Sequence, residues 1–321
     1  MELIAGDIGG TKSRLAWVTS TPGGEEKLRF EKVYASADFV SADALLEQYI
    51  DDARTGVKPD ELWLALPGAL NEQRTNLTNL AWMLDAAELR QATGISTVRF
   101  INDFQAAAAG VATLTSRDML VLNSQSVEPG GVRAITGAGT GLGLAFMLAD
   151  ATGQHQSYAT EGGHIDFAPR NAQQTRLLDH LGATYGHVSW ERAVSGSAMN
   201  DLYRFCCLEK GQALPDEAIE GAELAALAAA GDERAAATLD LFIDLYGAWV
   251  GNVALLYQPR GGLYIAGGVA GHLQARMRSP RFMAAATDKG RMRGVVERTP
   301  IFLITCNRLG VRGAIACART R

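Results

Sequence analysis

The sequence lacks the features that mark several large protein classes. Its four cysteines, two of them adjacent, show no Cys-x-x-C spacing, which indicates reduced thiols rather than a disulfide framework (Cys206, Cys207, Cys306, Cys317). No run approaches the roughly 18 apolar residues of a membrane span, and the N-terminus has no secretory signal pattern. The net charge of −5 provides no basic surface for nucleic acid or an anionic membrane. We therefore expect a cytoplasmic protein that binds neither nucleic acid nor membrane.

Several catalytic motifs are missing as well. A Walker A loop requires a Gly-Lys dipeptide, and its absence excludes a P-loop nucleotide hydrolase. The segment Gly137-Ala-Gly-Thr-Gly-Leu-Gly143 is similar to a dinucleotide fingerprint, but its spacing fails G-x-G-x-x-G in every register. The chain also has no H-E-x-x-H, zinc-type Cys/His set or G-x-S-x-G motif. These absences disfavour a dehydrogenase, a zinc enzyme and a serine hydrolase.

What remains is an alternation of strand-like and helix-like segments over 321 residues, a length sufficient for two domains. This alternation predicts an α/β fold with mostly parallel sheets. The predicted strands are 3–8, 14–18, 32–35, 61–66, 98–103, 119–122, 132–136, 142–149, 263–266 and 301–305. The predicted helices are 42–54, 84–93, one from about 104, 172–181, 198–207, 217–230, 233–257 and 311–318. Since the helix at 233–257 is apolar on most faces, it is predicted to be buried.

The first two predicted strands flank a tight turn formed by Gly9, Gly10 and Thr11. Glycine permits a close approach of the backbone to a ligand, and successive N–H groups in such a turn form an anion site. Asp7 ends the first strand beside this turn, where a carboxylate can hold Mg²⁺ directly or through water. The alternative interpretation is an ordinary hairpin in which Asp7 and Thr11 satisfy backbone groups.

Glycine-rich turns recur at 137–143 and 266–268, each after an apolar strand. Three such turns favour a split phosphate and nucleotide site over three unrelated loops. The strand–turn–strand segment at 132–149 also repeats the plan of the opening hairpin. This repetition suggests two related halves with a cleft between them.

Polar residues typical of sugar recognition occur in three places. Asn102 and Asp103 follow a strand at its carboxyl end, where α/β sheets bind ligands, although such residues also cap helices. Glu161 and His164 share one glycine-rich turn. Glu191, taken alone, is typical of an exposed charge in a first helical turn. Because these side chains can accept and donate in the pairs that hydroxyls require, together they predict binding of a polyhydroxyl compound.

The order of these motifs resembles that of the bacterial glucokinases, the ATP-dependent, hexokinase-like group with the actin-type ATPase fold. The similarity extends in colinear order from residue 4 to about residue 315. It rests on Gly6-Asp-Ile-Gly-Gly-Thr11, Ile101-Asn-Asp-Phe104, Gly137-Ala-Gly-Thr-Gly-Leu-Gly143, Glu161-Gly-Gly-His-Ile-Asp-Phe-Ala-Pro169, His187-Val-Ser-Trp-Glu-Arg192, Ser195-Gly196, Ala266-Gly-Gly268 and Asp288-Lys-Gly-Arg291.

The resemblance implies a two-domain actin-like (ribonuclease H-like) fold with a cleft between a small α/β domain and a larger α+β domain. The small domain comprises residues 1–113 and 304–321, and the large domain comprises residues 114–303. The implied reaction is phosphorylation of the 6-hydroxyl of glucose by ATP with Mg²⁺, in a cytoplasmic homodimer. Glucose and ATP are the implied partners.

The resemblance also assigns roles to individual residues. Asp103 is implied as the general base and, with four further residues, as a glucose ligand (Asn102, Glu161, His164, Glu191). The phosphate-binding turns are implied at Gly9, Gly10, Thr11, Gly139, Thr140 and Gly141. Asp7 is the implied acidic residue at Mg²⁺. Two alternatives stay open: a kinase for another hexose or amino sugar on the same scaffold, and a non-catalytic sugar-sensing protein.

Overall fold

A computed structural model describes residues 1–20, 26–68, 70–71, 73–77, 80–215 and 217–319. The chain divides into two compact units. The first unit comprises Met1–Thr115, Ser157–Ala159 and Cys306–Arg321. The second unit comprises Ser116–Gln156 and Thr160–Thr305.

The helices and strands alternate along the chain as follows. The part up to residue 115 contains β1 (Glu2–Ile8), β2 (Lys12–Ser20), β3 (Glu26–Ala35), α1 (Ala42–Ala53), β4 (Glu61–Leu66), β5 (Arg74–Leu77), β6 (Trp82–Asp85), α2 (Ala86–Thr93), β7 (Thr97–Asn102) and α3 (Asp103–Gly110). The remainder contains β8 (Met119–Asn123), β9 (Arg133–Ala138), β10 (Leu142–Ala149), β11 (His155–Thr160), α4 (Ala172–Tyr185), α5 (Ala198–Glu209), α6 (Gly221–Ala229), α7 (Glu233–Tyr257), β12 (Leu263–Ala266), α8 (Gly268–His272), α9 (Gln274–Met277), α10 (Pro280–Thr287), α11 (Arg293–Glu297), β13 (Ile301–Ile304) and α12 (Leu309–Arg319).

Two mixed sheets form the framework, and their strand orders correspond. The first has the order β3-β2-β1-β4-β7 and the second β11-β10-β9-β12-β13-β8. In each, a glycine turn joins an antiparallel pair (β1/β2 and β9/β10), and parallel strands follow on the other side (β4 and β7; β12 and β13). The correspondence agrees with the two related halves suggested by the sequence. The prediction of mostly parallel sheets is wrong, because each glycine turn closes a hairpin and makes that side antiparallel.

The first sheet is covered on both faces because its central strands are apolar on both sides. Ile4 and Leu62 belong to the core that includes α1 and α2, whereas Leu3 and Trp63 belong to the core that includes α12. Helix α12 packs closely against α3, since a Cβ on Gly313 would collide with the carbonyl oxygen of Ala106. The C-terminal helix therefore supports the helix that begins at Asp103.

Helix α7 forms the centre of the second core, and its predicted bounds and burial are confirmed. By length and composition it is apolar enough to cross a membrane, which the count of consecutive apolar residues did not anticipate. However, 72% of its most apolar window is buried inside the protein. This burial is typical of a core helix.

Some predicted bounds need correction. The helix expected from Leu84 begins at Ala86, because residues 82–85 pair with β5 as a strand and Asp85 caps the helix. The Asp85 carboxylate accepts a hydrogen bond from the N–H of Ala87 at 2.7 Å. Strand β11 and helices α8 to α11 were not predicted, since segments of four to eight residues carry too little periodicity to distinguish them from loops.

Candidate functional site

The first glycine turn joins β1 to β2 and is held by backbone and serine contacts. The N–H of Gly9 donates to the carbonyl of Lys12 at 3.0 Å. Ser36 donates its hydroxyl to the carbonyl of Gly9 at 2.7 Å and its N–H to that of Thr11 at 3.0 Å. Among the described residues, no acceptor is found for the N–H groups of Gly10 and Thr11. These two N–H groups are the turn's available donors for an anion.

Asp7 lies in β1 opposite Arg14 of β2 and close to the start of α12. A Cβ on Gly310 would collide with its carboxylate, so glycine is needed there for space. Burial raises the pKa of Asp7 to about 6, although the positive charge of Arg14 opposes this rise. The described part of the chain contains no group of three His, Cys, Asp or Glu side chains able to hold a metal. One carboxylate next to a turn with two available N–H donors would fit Mg²⁺, which usually keeps its waters and substrate phosphates as ligands.

The second glycine turn joins β9 to β10 in the second unit. The N–H of Gly139 donates to the carbonyl of Gly141 at 2.9 Å, so this N–H closes the turn and is not available to a phosphate. Two hydrogen bonds hold the turn from outside. The N–H of Gly196 donates to the carbonyl of Gly139 at 2.7 Å, and the hydroxyl of Ser197 donates to the carbonyl of Thr140 at 3.0 Å. Over the described ranges, the N–H groups of Thr140 and Gly141 have no acceptor.

The third turn, at 266–268, packs directly against the second. Gly267 has a φ of +95°, in the region that favours glycine. A Cβ on Gly267 would also collide with the carbonyl oxygen of Ala138. The structure therefore brings two of the three predicted glycine turns together within one unit.

Asn102 and Asp103 lie where β7 ends and α3 begins. The Asn102 Oδ1 accepts from the N–H of Gln105 at 3.0 Å, and its Nδ2 donates to the carbonyl of Gly68 at 3.1 Å. Asp103 Oδ1 accepts from the N–H of Phe104 at 2.8 Å. The capping interpretation therefore holds for Asn102, and the second amide N–H of Asn102 has no acceptor among the described residues.

Glu161 caps a single helical turn, Gly162–His164, of which His164 is the last residue. The N–H of His164 donates to the carbonyl of Glu161 at 3.0 Å. The two side chains approach to 3.9 Å between Oε2 and Nε2 and are 64% and 59% exposed. Gly163 packs against the backbone of Leu142, where a Cβ would collide with the carbonyl oxygen. The turn thus rests on β10 and presents both polar groups to solvent.

Glu191 joins this turn through a short antiparallel contact. Its N–H donates to the carbonyl of Gly163 at 2.9 Å, and the N–H of Trp190 donates to the carbonyl of Ile165, also at 2.9 Å. Its Oε2 accepts from the N–H of Leu142 at 2.8 Å. The local interpretation of Glu191 as an exposed charge in a first helical turn is wrong, because the residue is partly buried outside any helix.

Sequence reasoning missed the residues that hold the turns. Ser36 supports the first turn from the end of β3, and Ser197 supports the second. A hydrogen bond of 2.7 Å joins His187 Nε2 and Asp166 Oδ1 beside the contact between the Glu161 turn and the Glu191 segment. The Ser195-Gly196 and His187 motifs marked two of these segments in the sequence. For Ser36, no local pattern could have revealed its contact with Gly9.

Comparison with known proteins gives a consistent result. A family model described as Glucokinase matches residues 4–321. The chain is 36% identical over 339 aligned residues to the glucokinase of Nostoc sp., covering 98% of each chain. The solved glucokinase of an Antarctic psychrotroph is 30% identical, with a TM-score of 0.84 over 100% of this chain and 99% of that one. A ROK family glucokinase from Streptomyces griseus, solved with glucose and AMPPNP, is 19% identical with a TM-score of 0.65 over 100% of each chain, and so shares the fold.

These findings confirm the resemblance and the fold class that it implied, the two-domain actin-like ATPase fold. The family match spans nearly the whole chain and includes every motif on which the resemblance was based. The chain belongs to the glucokinase family.

Proposed function

We propose that this chain transfers the terminal phosphoryl group of ATP to the 6-hydroxyl of glucose, giving glucose 6-phosphate and ADP. The observation that carries the proposal is the presence of two glycine turns that each keep two N–H groups without an acceptor in the described chain. Gly10, Thr11, Thr140 and Gly141 supply these N–H groups. Backbone N–H groups held in this way stabilise phosphate charge without having to reorganise during the reaction.

Asp103 is the proposed general base. The new bond forms between the sugar's O6 and the γ-phosphorus, while the bond from that phosphorus to the β,γ-bridging oxygen of ATP breaks. The proton of the 6-hydroxyl passes to the Asp103 carboxylate, and ADP leaves with the electrons of the broken bond. Such a reaction depends mainly on positioning and on charge stabilisation.

Asp7 is the proposed residue for Mg²⁺. The ion supplies positive charge to the phosphate oxygens, and Asp7 would hold it directly or through water. The half-buried carboxylate of Asp7 and the two available N–H groups of the turn that follows it in sequence support this role, since together they provide an anion and donors for a phosphate.

The sugar ring is proposed to bind the remaining amide N–H of Asn102, the exposed groups of Glu161 and His164, and Glu191. Sugar hydroxyls both donate and accept, so carboxylate and imidazole groups suit them. For Glu191 the proposed sugar ligand is Oε1, because Oε2 already accepts from the N–H of Leu142.

We also propose the domain division and assembly implied by the resemblance. Residues 1–113 and 304–321 form the small domain and 114–303 the large domain, which the two compact units support. The enzyme is proposed to be a cytoplasmic homodimer that acts in glycolysis. The four free cysteines support a reducing compartment.

Release of ADP from Mg-ATP, measured with glucose, mannose, fructose, N-acetylglucosamine and N-acetylmannosamine, tests the reaction. Strong release with glucose alone is the expected result. Release with only another sugar would keep Asp103 as base and assign Glu161, His164 and Glu191 to a different ring. No release with any sugar, from folded protein that binds ATP, would favour a sugar-sensing protein.

Glu161→Ala and His164→Ala should each raise the glucose KM about 10-fold or more, because each removes a hydrogen-bonding partner of the sugar. The kcat should fall less than the affinity. The measurement is steady-state kinetics over a range of glucose concentrations. Ile165→Ala is a matched control, since its side chain lies in the same loop, is 45% exposed and is apolar. An unchanged KM in both variants would make the loop structural.

A further inference from the structure

We propose that Gly141 is a positioning residue for the sugar, because its lack of a side chain leaves room for the Glu191 carboxylate to hydrogen-bond Leu142 at the end of the second glycine turn. Through this attachment, Glu191 couples the sugar site to the nucleotide site within the second unit. The inference rests on the proposed function, which assigns the turn to ATP and Glu191 to glucose.

The attachment consists of one charged hydrogen bond and one very close contact. Glu191 Oε2 accepts from the N–H of Leu142 at 2.8 Å, directly after the turn. A Cβ on Gly141 would collide with that same oxygen. Any side chain at position 141 must therefore displace the carboxylate.

The need for glycine at 141 comes from this contact and not from backbone conformation. Neither Gly139 nor Gly141 has a positive φ, so alanine introduces no left-handed strain at either position. They differ in what a Cβ would meet: the carboxylate at Gly141, and nothing within 4 Å at Gly139. The chain thus provides a matched pair of substitutions in one turn.

A second set of contacts joins the Glu161 turn to Glu191 and Leu142. Glu191 donates its N–H to the carbonyl of Gly163 at 2.9 Å, and Gly163 packs against the Leu142 carbonyl so closely that a Cβ would collide with it. Leu142, Gly163 and Glu191 therefore form a closed set of contacts. A shift of the phosphate turn must be transmitted to the sugar ligands on both neighbouring segments.

The consequence is reciprocal coupling between the two substrates. A sugar held by Glu191 Oε1 fixes Oε2 on Leu142, and so orders the N–H groups of Thr140 and Gly141 before the nucleotide arrives. By linkage, a nucleotide on these N–H groups must tighten sugar binding by the same factor.

The test is a glucose titration by calorimetry in the absence of nucleotide, so that a defect in ATP binding cannot contribute. Gly141→Ala should raise the glucose Kd about 10-fold or more, as expected for loss of a charged hydrogen bond, whereas Gly139→Ala should leave it unchanged. Glu191→Ala should raise the Kd as well. In the Glu191→Ala background, Gly141→Ala should have no further effect, since residues that act through one contact are not additive.

The outcomes separate the inference from the proposed function. If Glu191→Ala raises the glucose Kd and Gly141→Ala does not, the coupling is refuted while Glu191 remains a sugar ligand. If Glu191→Ala does not change the glucose Kd, both the coupling and the proposed role of Glu191 as a sugar ligand are refuted. Amide exchange on the unsubstituted protein provides a second measurement that no folding defect can affect. Glucose alone should slow exchange at Thr140, Gly141 and Leu142, and unchanged exchange there would refute the coupling.

Discussion

Asp103→Asn should lower kcat by about 10²- to 10⁴-fold, the usual contribution of a general base, while the glucose KM changes little. The amide is nearly isosteric with the carboxylate but cannot take the proton of the 6-hydroxyl. Its Oδ1 can still accept from the N–H of Phe104, a contact of 2.8 Å in the unsubstituted protein. The start of α3 should therefore keep its structure, and the loss should lie in catalysis.

The measurement is steady-state kinetics with Mg-ATP, together with a glucose titration of the variant. Glu88→Gln is a suitable control, because Glu88 is also an acidic residue in the first turn of a helix of the first unit. It should leave kcat unchanged. A kcat of Asp103→Asn near that of the unsubstituted enzyme would remove Asp103 from the role of base.

The elements that the sequence predicts well are those whose burial is continuous. Strand β4 and helix α7 have the predicted bounds, since each is an apolar run long enough to identify and is bounded by residues that interrupt it. The hairpin of β5 and β6 was missed, because its strands have four residues each. The prediction of mostly parallel sheets was also wrong, although the opening hairpin itself was predicted.

For the candidate site, residue types in sequence indicate chemistry but not long-range contacts. The first two glycine turns were predicted to be anion sites, yet the sequence could not show that the N–H of Gly139 is used within its own turn. Glu191 is the clearest case. Its neighbours suggest a surface charge, and the contact that gives it a role lies 49 residues away at Leu142. Only the resemblance to a family placed it among the ligands.

Asp7→Asn should lower kcat/KM for ATP by about 100-fold or more, because it removes the carboxylate proposed to hold Mg²⁺ and thereby its stabilisation of phosphate charge. The same variant should be more stable than the unsubstituted protein when metal is removed with EDTA. Burial raises the pKa of Asp7 to about 6, which means that the site disfavours the charged form. Replacing that charge by an amide should stabilise the fold by about 1 kcal/mol, a rise of about 2 °C in Tm for a chain of this size.

A second carboxylate of the same strand provides a control for which the expected change in Tm has the opposite sign. Glu2 is partly buried, but it accepts hydrogen bonds from Trp17, Thr19 and Arg29. Although burial raises its pKa, these bonds hold the pKa below its usual value. Glu2→Gln should therefore lower the Tm while leaving activity unchanged. If Asp7→Asn instead lowered the Tm and kept full activity, its carboxylate would serve only the hairpin, as in the alternative interpretation of the opening turn. Activity lost together with stability gained is the combination expected of a charge retained for catalysis.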